Sequence, residues 1–255
     1  MAESLLLAVT RITTMKGDKI LSEATGFYFT RDGVVFLITN KHVVRDEPTS
    51  HQPDRLLIDL HPDSQNLAKL SQFTLPLYQE GRPLWKEASD RTSEVDIVAI
   101  PLDVSRFPEN CEYVCFEMEH ISENLDHVEI GASLLIPGFP LGFHDELHHL
   151  PVARHAIVAS SFGLRFKGMG YFLSDGRTHR GCSGAPVVTQ MVSDPKHKLP
   201  WRLLGVHSSR FDVRRDIRAD EALGLNSAWY SDIILKMTDP EKMEEKNKDT
   251  TSGSE

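Results

Sequence analysis

Short apolar or alternating runs, separated by turn residues, recur along the whole chain. They fall at Leu5–Thr13, Glu23–Thr30, Val34–Thr39, Leu56–Leu60, Leu70–Leu77 and Asp96–Leu102. A second set falls at Val128–Pro137, Ala153–Ser161, Gly170–Leu173, Pro186–Gln190, Arg202–Ser208 and Leu225–Trp229. Runs of this length with turn signals between them predict strands, and the chain reads as all-β. Arg31-Asp32-Gly33 between two runs predicts a hairpin turn. A single short helix is expected at Ser231 to Met237, where Ile233, Ile234 and Met237 share a face.

The pattern divides the chain into residues 1–102, a linking stretch 103–127, a second half 128–237, and a polar tail 238–255 read as disordered. The acidic linking stretch, with Pro108, Glu109 and Asn110, is expected to be solvated. Arg214, Arg215 and Arg218 alternate with Asp212, Asp216 and Asp220, which reads as a solvated loop. No sequence repeat relates the two halves.

The 255 residues are 40% hydrophobic and 25% charged, enough for one globular unit or two halves sharing a core. A net charge of −9 argues against a nucleic-acid partner. No apolar run approaches the roughly 18 residues needed to span a membrane, so no membrane partner is expected. The N-terminus lacks a basic leading region, and Arg11 interrupts its apolar run, so it is a poor secretory signal. Three cysteines, at 111, 115 and 182, cannot build the disulfide framework of a secreted domain; Cys111 and Cys115 are read as free thiols and Cys182 as a small buried residue of its turn. A cytoplasmic location is expected. His144-Asp145-Glu146-Leu147-His148-His149 reads as a polar loop, and neither a metal nor another cofactor is expected.

The chemistry is carried by three segments. Gly181-Cys182-Ser183-Gly184-Ala185-Pro186 sets a serine between two glycines, whose backbone freedom lets the N–H groups of Gly181 and Ser183 point into one space. A serine hydroxyl is a weak nucleophile and needs a base. Upstream, Thr39-Asn40-Lys41-His42-Val43-Val44 follows the apolar run 34–38, and Val95-Asp96-Ile97-Val98-Ala99-Ile100 lies between. In this order the three segments resemble the chymotrypsin-like, or trypsin-like, serine peptidases. That resemblance implies two six-stranded antiparallel β-barrels with a short C-terminal helix. It also implies Ser183 as nucleophile, His42 as general base, Asp96 as its orienting partner, and an oxyanion hole from Gly181 and Ser183. The substrate would be a protein or peptide.

Further features narrow the resemblance. Ile136-Pro137-Gly138-Phe139-Pro140-Leu141-Gly142 resembles a turn of bacterial, non-zymogen members. Zymogen members place an aspartate directly before the nucleophile, where this chain has Cys182, so a site formed without N-terminal processing is expected. By the same likeness the specificity pocket is lined by Arg177, Thr178, Arg180, His207 and Ser208. Trypsins carry an aspartate where Arg177 stands. His207 and Thr178 match the residues that hold an acidic side chain in glutamyl endopeptidases, and Ser208 matches a position that supports the buried aspartate. The expected preference is for an acidic residue, or glutamine, before the scissile bond. The competing reading is a catalytically silent binding module on the same fold. A regulatory partner is compatible with the sequence, which does not identify one.

Overall fold

The computed structural model describes residues 3–89, 94–121, 128–191, 198–216 and 219–240. The expected disordered tail lies outside the described residues from residue 241 onward, and so does Arg218. The chain opens with a helical turn, α1 (Ser4–Leu7), not with the strand expected at Leu5. Leu5 and Leu7 are both buried there. An apolar run this short does not distinguish helix from strand by its period, and packing decides.

The strands of the first half are β1 (Val9–Lys16), β2 (Lys19–Arg31), β3 (Val34–Thr39), β4 (Arg55–Leu60) and β5 (Ser71–Pro76). After them come a small hairpin, β6 (Tyr78–Gln79) and β7 (Arg82–Pro83), then β8 (Lys86–Ser89) and β9 (Glu94–Leu102). The helical turn α2 (Lys41–Val44) follows β3 directly. The second half contains β10 (Ser133–Gly138), β11 (Val152–Val158), β12 (Tyr171–Asp175) and β13 (Pro186–Gln190). It ends with β14 (Trp201–Asp216), β15 (Ala219–Tyr230) and α3 (Asp232–Met237).

The second half closes as a six-stranded barrel in the order β10-β11-β12-β15-β14-β13, completed where Leu135 of β10 pairs with Val188 of β13. No second closed barrel is seen among the described residues of the first half. Its strands form a seven-stranded antiparallel sheet, β5-β4-β1-β2-β3-β9-β8, in which no described pairing joins β5 to β8. Residues 212–216 and 219–220, read as part of a loop, continue the β14–β15 ribbon, with Asp212 opposite Ala222 and Asp216 opposite Ala219. Alternating charges suit a two-stranded ribbon as well as a loop, so charge alone did not separate the two.

Side-chain alternation on the first sheet feeds two cores. One contains Ile12, Tyr28, Leu37, Leu56, Ile58, Val98 and Ile100. The other joins Phe27, Phe29, Phe36, Ile38, Ile97 and Ala99 to Val188, Leu203, Val206, Trp229, Ile233 and Ile234 from the second half. This shared core explains why residues 24–29 of β2 are buried without interruption. In the linking stretch Asp103, Glu109 and Asn110 are exposed, in line with its charges, while apolar residues between them pack inward. Val114 and Phe116 are buried, and Phe116 exchanges backbone hydrogen bonds with Tyr28 and Thr30 along β2. The candidate site lies on the seam between the halves.

Candidate active site

His42 enters on α2, immediately after the buried pair Thr39 and Asn40 at the end of β3. Asp96 lies near the start of β9, the strand hydrogen-bonded beside β3. The strand pairing therefore brings the two residues together. His42 Nδ1 lies 2.8 Å from Asp96 Oδ2, and the His42 backbone N–H donates to Asp96 Oδ1 at 3.0 Å. Ser208 of β14 donates its hydroxyl to Asp96 Oδ2 at 2.5 Å. Asn40 Nδ2 donates to the Asp96 carbonyl at 2.7 Å and fixes the backbone beneath the carboxylate. One carboxylate thus accepts from an imidazole, a backbone amide and a hydroxyl. Burial favours neutral forms at both residues, yet their mutual hydrogen bond and charge attraction prevail. His42 is raised above its ordinary value and Asp96 is lowered.

Ser183 reaches this pair from the second half. Its hydroxyl donates to the carbonyl of Ser208 over 3.4 Å, a long bond beside the residue that holds Asp96. No hydrogen bond joins Ser183 Oγ to His42 among the described residues. Such contacts are often long before substrate binds and tighten in the complex.

The loop around Ser183 is fixed carbonyl by carbonyl. Arg180 O accepts from Leu141 N at 2.6 Å, Cys182 O from Ala185 N at 2.9 Å, and Ser183 O from Thr25 N at 2.9 Å. Gly181 O accepts from the Thr25 hydroxyl at 2.6 Å. In a planar trans peptide the N–H points opposite to the C=O. Tying back the carbonyls of Arg180 and Cys182 therefore turns the N–H groups of Gly181 and Ser183 the other way. Neither N–H meets a protein acceptor among the described residues. Two free donors side by side are what an oxyanion requires, and each is typically worth about 2.7–4 kcal/mol of barrier. Gly181 has φ +92, and a Cβ there would lie 2.3 Å from the carbonyl of Phe139. Glycine is needed at that point for both backbone freedom and space.

The five residues expected in a specificity pocket fare differently. His207 and Thr178 are buried inside the second half, and Ser208 is turned to Asp96. Arg177 and Arg180 are exposed. Sequence reasoning missed Asn226. Its amide nitrogen donates to Gly176 O at 2.8 Å, and its oxygen accepts the Thr178 hydroxyl at 2.5 Å. It also missed Thr25, since a threonine before Gly26 on a strand carries no readable signal. No group of three His, Cys, Asp or Glu side chains that could hold a metal occurs among the described residues. The three cysteines form no disulfide.

His207 is 3% exposed, its Nδ1 has no hydrogen-bond partner, and burial followed by the charge of His42 pushes its pKa down to about 4. The unfolded chain takes up this proton near pH 6.5, the folded chain only near 4. Stability is therefore expected to fall as pH drops through that window, by about 3 kcal/mol from this residue. Urea unfolding at pH 7 and pH 4 should show His207→Leu losing less stability than the natural protein. Equal losses in the two proteins would contradict the assignment.

The trypsin-like peptidase domain matches residues 24–191, a span that contains His42, Asp96 and Ser183. No curated protein sequence matches the chain. Among solved structures, a serine endoprotease from Yersinia pestis is similar, with a TM-score of 0.52 and 16% identity over 91% of this chain and 61% of that one. A protease from M. tuberculosis in its active form gives a TM-score of 0.48 and 15% identity over 91% of this chain and 80% of that one. The chain spans about 61% of the length of the Yersinia protein. At such identity the Yersinia likeness concerns the fold. The domain match covers more than half of the sequence, and the chain belongs to the trypsin-like peptidase domain family.

Proposed function

We propose that the protein is a serine endopeptidase that works through Ser183, His42 and Asp96. The observation that carries this reading is the convergence on Asp96. Its carboxylate holds His42 and Ser208, and the nucleophile loop lies against Ser208 with two unengaged N–H donors. In the reaction Ser183 Oγ attacks the scissile carbonyl, and the His42 imidazole takes its proton. The carbonyl oxygen becomes an oxyanion held by Gly181 N–H and Ser183 N–H. His42 then gives the proton to the leaving amine as the C–N bond breaks, leaving an acyl-Ser183 ester. Water, deprotonated by the same imidazole, hydrolyses the ester. Asp96 keeps the imidazole oriented and stabilises its charged form.

The proposed preference before the scissile bond is an acidic residue. Burial and the charges of Arg177, Arg154 and Arg210 push His179 below its ordinary value, so three guanidinium groups act on a residue four positions before Ser183. Charge-assisted bonds to such groups are roughly twice as strong as neutral ones. One observation favours glutamine instead. Thr178 spends its only proton on Asn226, and so presents lone pairs rather than a donor. A lone pair suits an amide N–H and repels a carboxylate. The proposed two-barrel architecture, in which the seven-stranded sheet curls as a partner to the closed barrel, places the substrate along the seam. A reducing compartment suits three unpaired cysteines.

A proteome-derived peptide library, with Ser183→Ala as control, tests this reading. Cleavage after Glu, Asp or Gln is expected in the natural protein and none in the variant. Cleavage mainly after Lys or Arg would refute the pocket assignment, and equal cleavage by the variant would refute the nucleophile.

A further inference from the structure

Thr25 belongs to β2 in the first half, fully buried and far in sequence from the nucleophile loop. All of its polar groups are engaged. Its N–H donates to Ser183 O at 2.9 Å, and its carbonyl accepts the Thr39 hydroxyl at 2.8 Å. Its own hydroxyl donates to Gly181 O at 2.6 Å and accepts from Phe139 N at 3.2 Å. The surrounding glycines make room for it. A Cβ at Gly184 would lie 2.1 Å from Thr25 O, and one at Gly138 would lie 2.9 Å from Thr25 Oγ1. One side chain therefore joins β2, the 138–142 turn and the loop that carries Ser183.

We infer that Thr25 is a positioning residue for the oxyanion hole: its hydroxyl ties the Gly181 carbonyl to the Phe139 amide and so holds the Gly181 and Ser183 N–H groups in convergence. The inference rests on the serine-peptidase reading above. Gly181 has peptide planes on both sides. The preceding plane carries its own N–H, and the following plane carries the carbonyl that Thr25 grips. Fixing the following plane limits rotation about Gly181, a residue with no side chain to restrain it. The Phe139 amide held by the same hydroxyl begins the turn whose Leu141 N–H secures the preceding plane through Arg180 O. Without the hydroxyl, both planes lose their common anchor, and Gly181 O and Phe139 N lose a buried partner. The cost falls on the transition state, where the oxyanion forms, rather than on substrate binding.

Thr25→Val keeps the shape and removes the hydroxyl, and Thr25→Ser keeps the hydroxyl. Active sites are counted with a fluorophosphonate. Per titrated site, Thr25→Val should lose about tenfold or more in kcat with KM nearly unchanged, short of the roughly 10²–10³-fold loss from deleting a donor. Its affinity for a peptide aldehyde, which forms a tetrahedral adduct with Ser183, should fall by the same factor. Thr25→Ser should restore both. A purely structural role would lower the number of titratable sites and leave kcat per site and aldehyde affinity unchanged. That result, or an equal loss in Thr25→Ser, would overturn the inference. If Thr25→Val does not fold, Thr25→Cys, with its weaker donor, should give an intermediate kcat, and a kcat equal to that of the natural protein would overturn it. A natural protein inert to the fluorophosphonate would instead overturn the peptidase reading itself.

Discussion

Replacing Ser183 or His42 by alanine should lower kcat for peptide hydrolysis by about 10⁴–10⁶-fold, and Asp96→Asn by about 10⁴-fold. The losses should not add, because the three side chains serve one proton transfer. The double variant Ser183→Ala/His42→Ala should be about as slow as Ser183→Ala alone. Asp96→Asn has a distinct signature in pH. His42 must be neutral to accept the serine proton, and Asp96 raises its pKa above 6.5. The acid limb of kcat/KM should therefore lie above the ordinary histidine value in the natural protein. In Asp96→Asn the limb should move to lower pH, since the raising partner is gone. Additive losses, or an unmoved acid limb, would count against the arrangement. Ser183→Ala should unfold at nearly the same denaturant concentration as the natural protein, because its side chain is partly exposed at the seam.

Gly181→Ala should be among the most damaging changes outside those three. The added methyl would lie 2.3 Å from Phe139 O and 3.0 Å from Leu141 N, on a backbone at φ +92 that L-residues rarely adopt. The neighbouring atoms are backbone, so the loop itself must move. Displacing Gly181 N–H removes one oxyanion donor and should lower kcat by about 10²–10³-fold. KM should change far less, since the donor acts on the charge formed in the transition state. Gly163→Ala is the control, because a Cβ there meets nothing within 4 Å. Steady-state kinetics on the two variants checks this. Equal kcat values would remove Gly181 from the oxyanion hole.

The chemistry of the site was more legible in the sequence than its scaffold. His42, Asp96 and Ser183 were named by a family resemblance that three short segments carry together and in order, not by any one of them alone. Ser208 was reached the same way, and the structure places its hydroxyl on Asp96. Arg177 and Arg180 were assigned to the pocket by position alone, and both side chains are exposed. Thr25, Asn40 and Asn226 left no signal because their roles arise from contacts between distant segments. Thr25 meets Gly181 across 156 residues, and Asn226 meets Thr178 across 48. The strands were readable from alternation, whereas closure was not. Whether a sheet closes depends on which edges pair, and period-two patterning contains no information about edges. The helical turn at Ser4–Leu7 and the strands β6 to β8 were missed for a related reason, since segments of two to four residues carry no measurable period.

The most direct test of the central claim is to locate the adduct formed by a fluorophosphonate. Intact protein is incubated with the reagent at neutral pH, digested, and sequenced by mass spectrometry. The account predicts one phosphonyl group, on Ser183, with labelling strongly slowed in His42→Ala. Absence of labelling, or modification of another residue at the same rate, would contradict it.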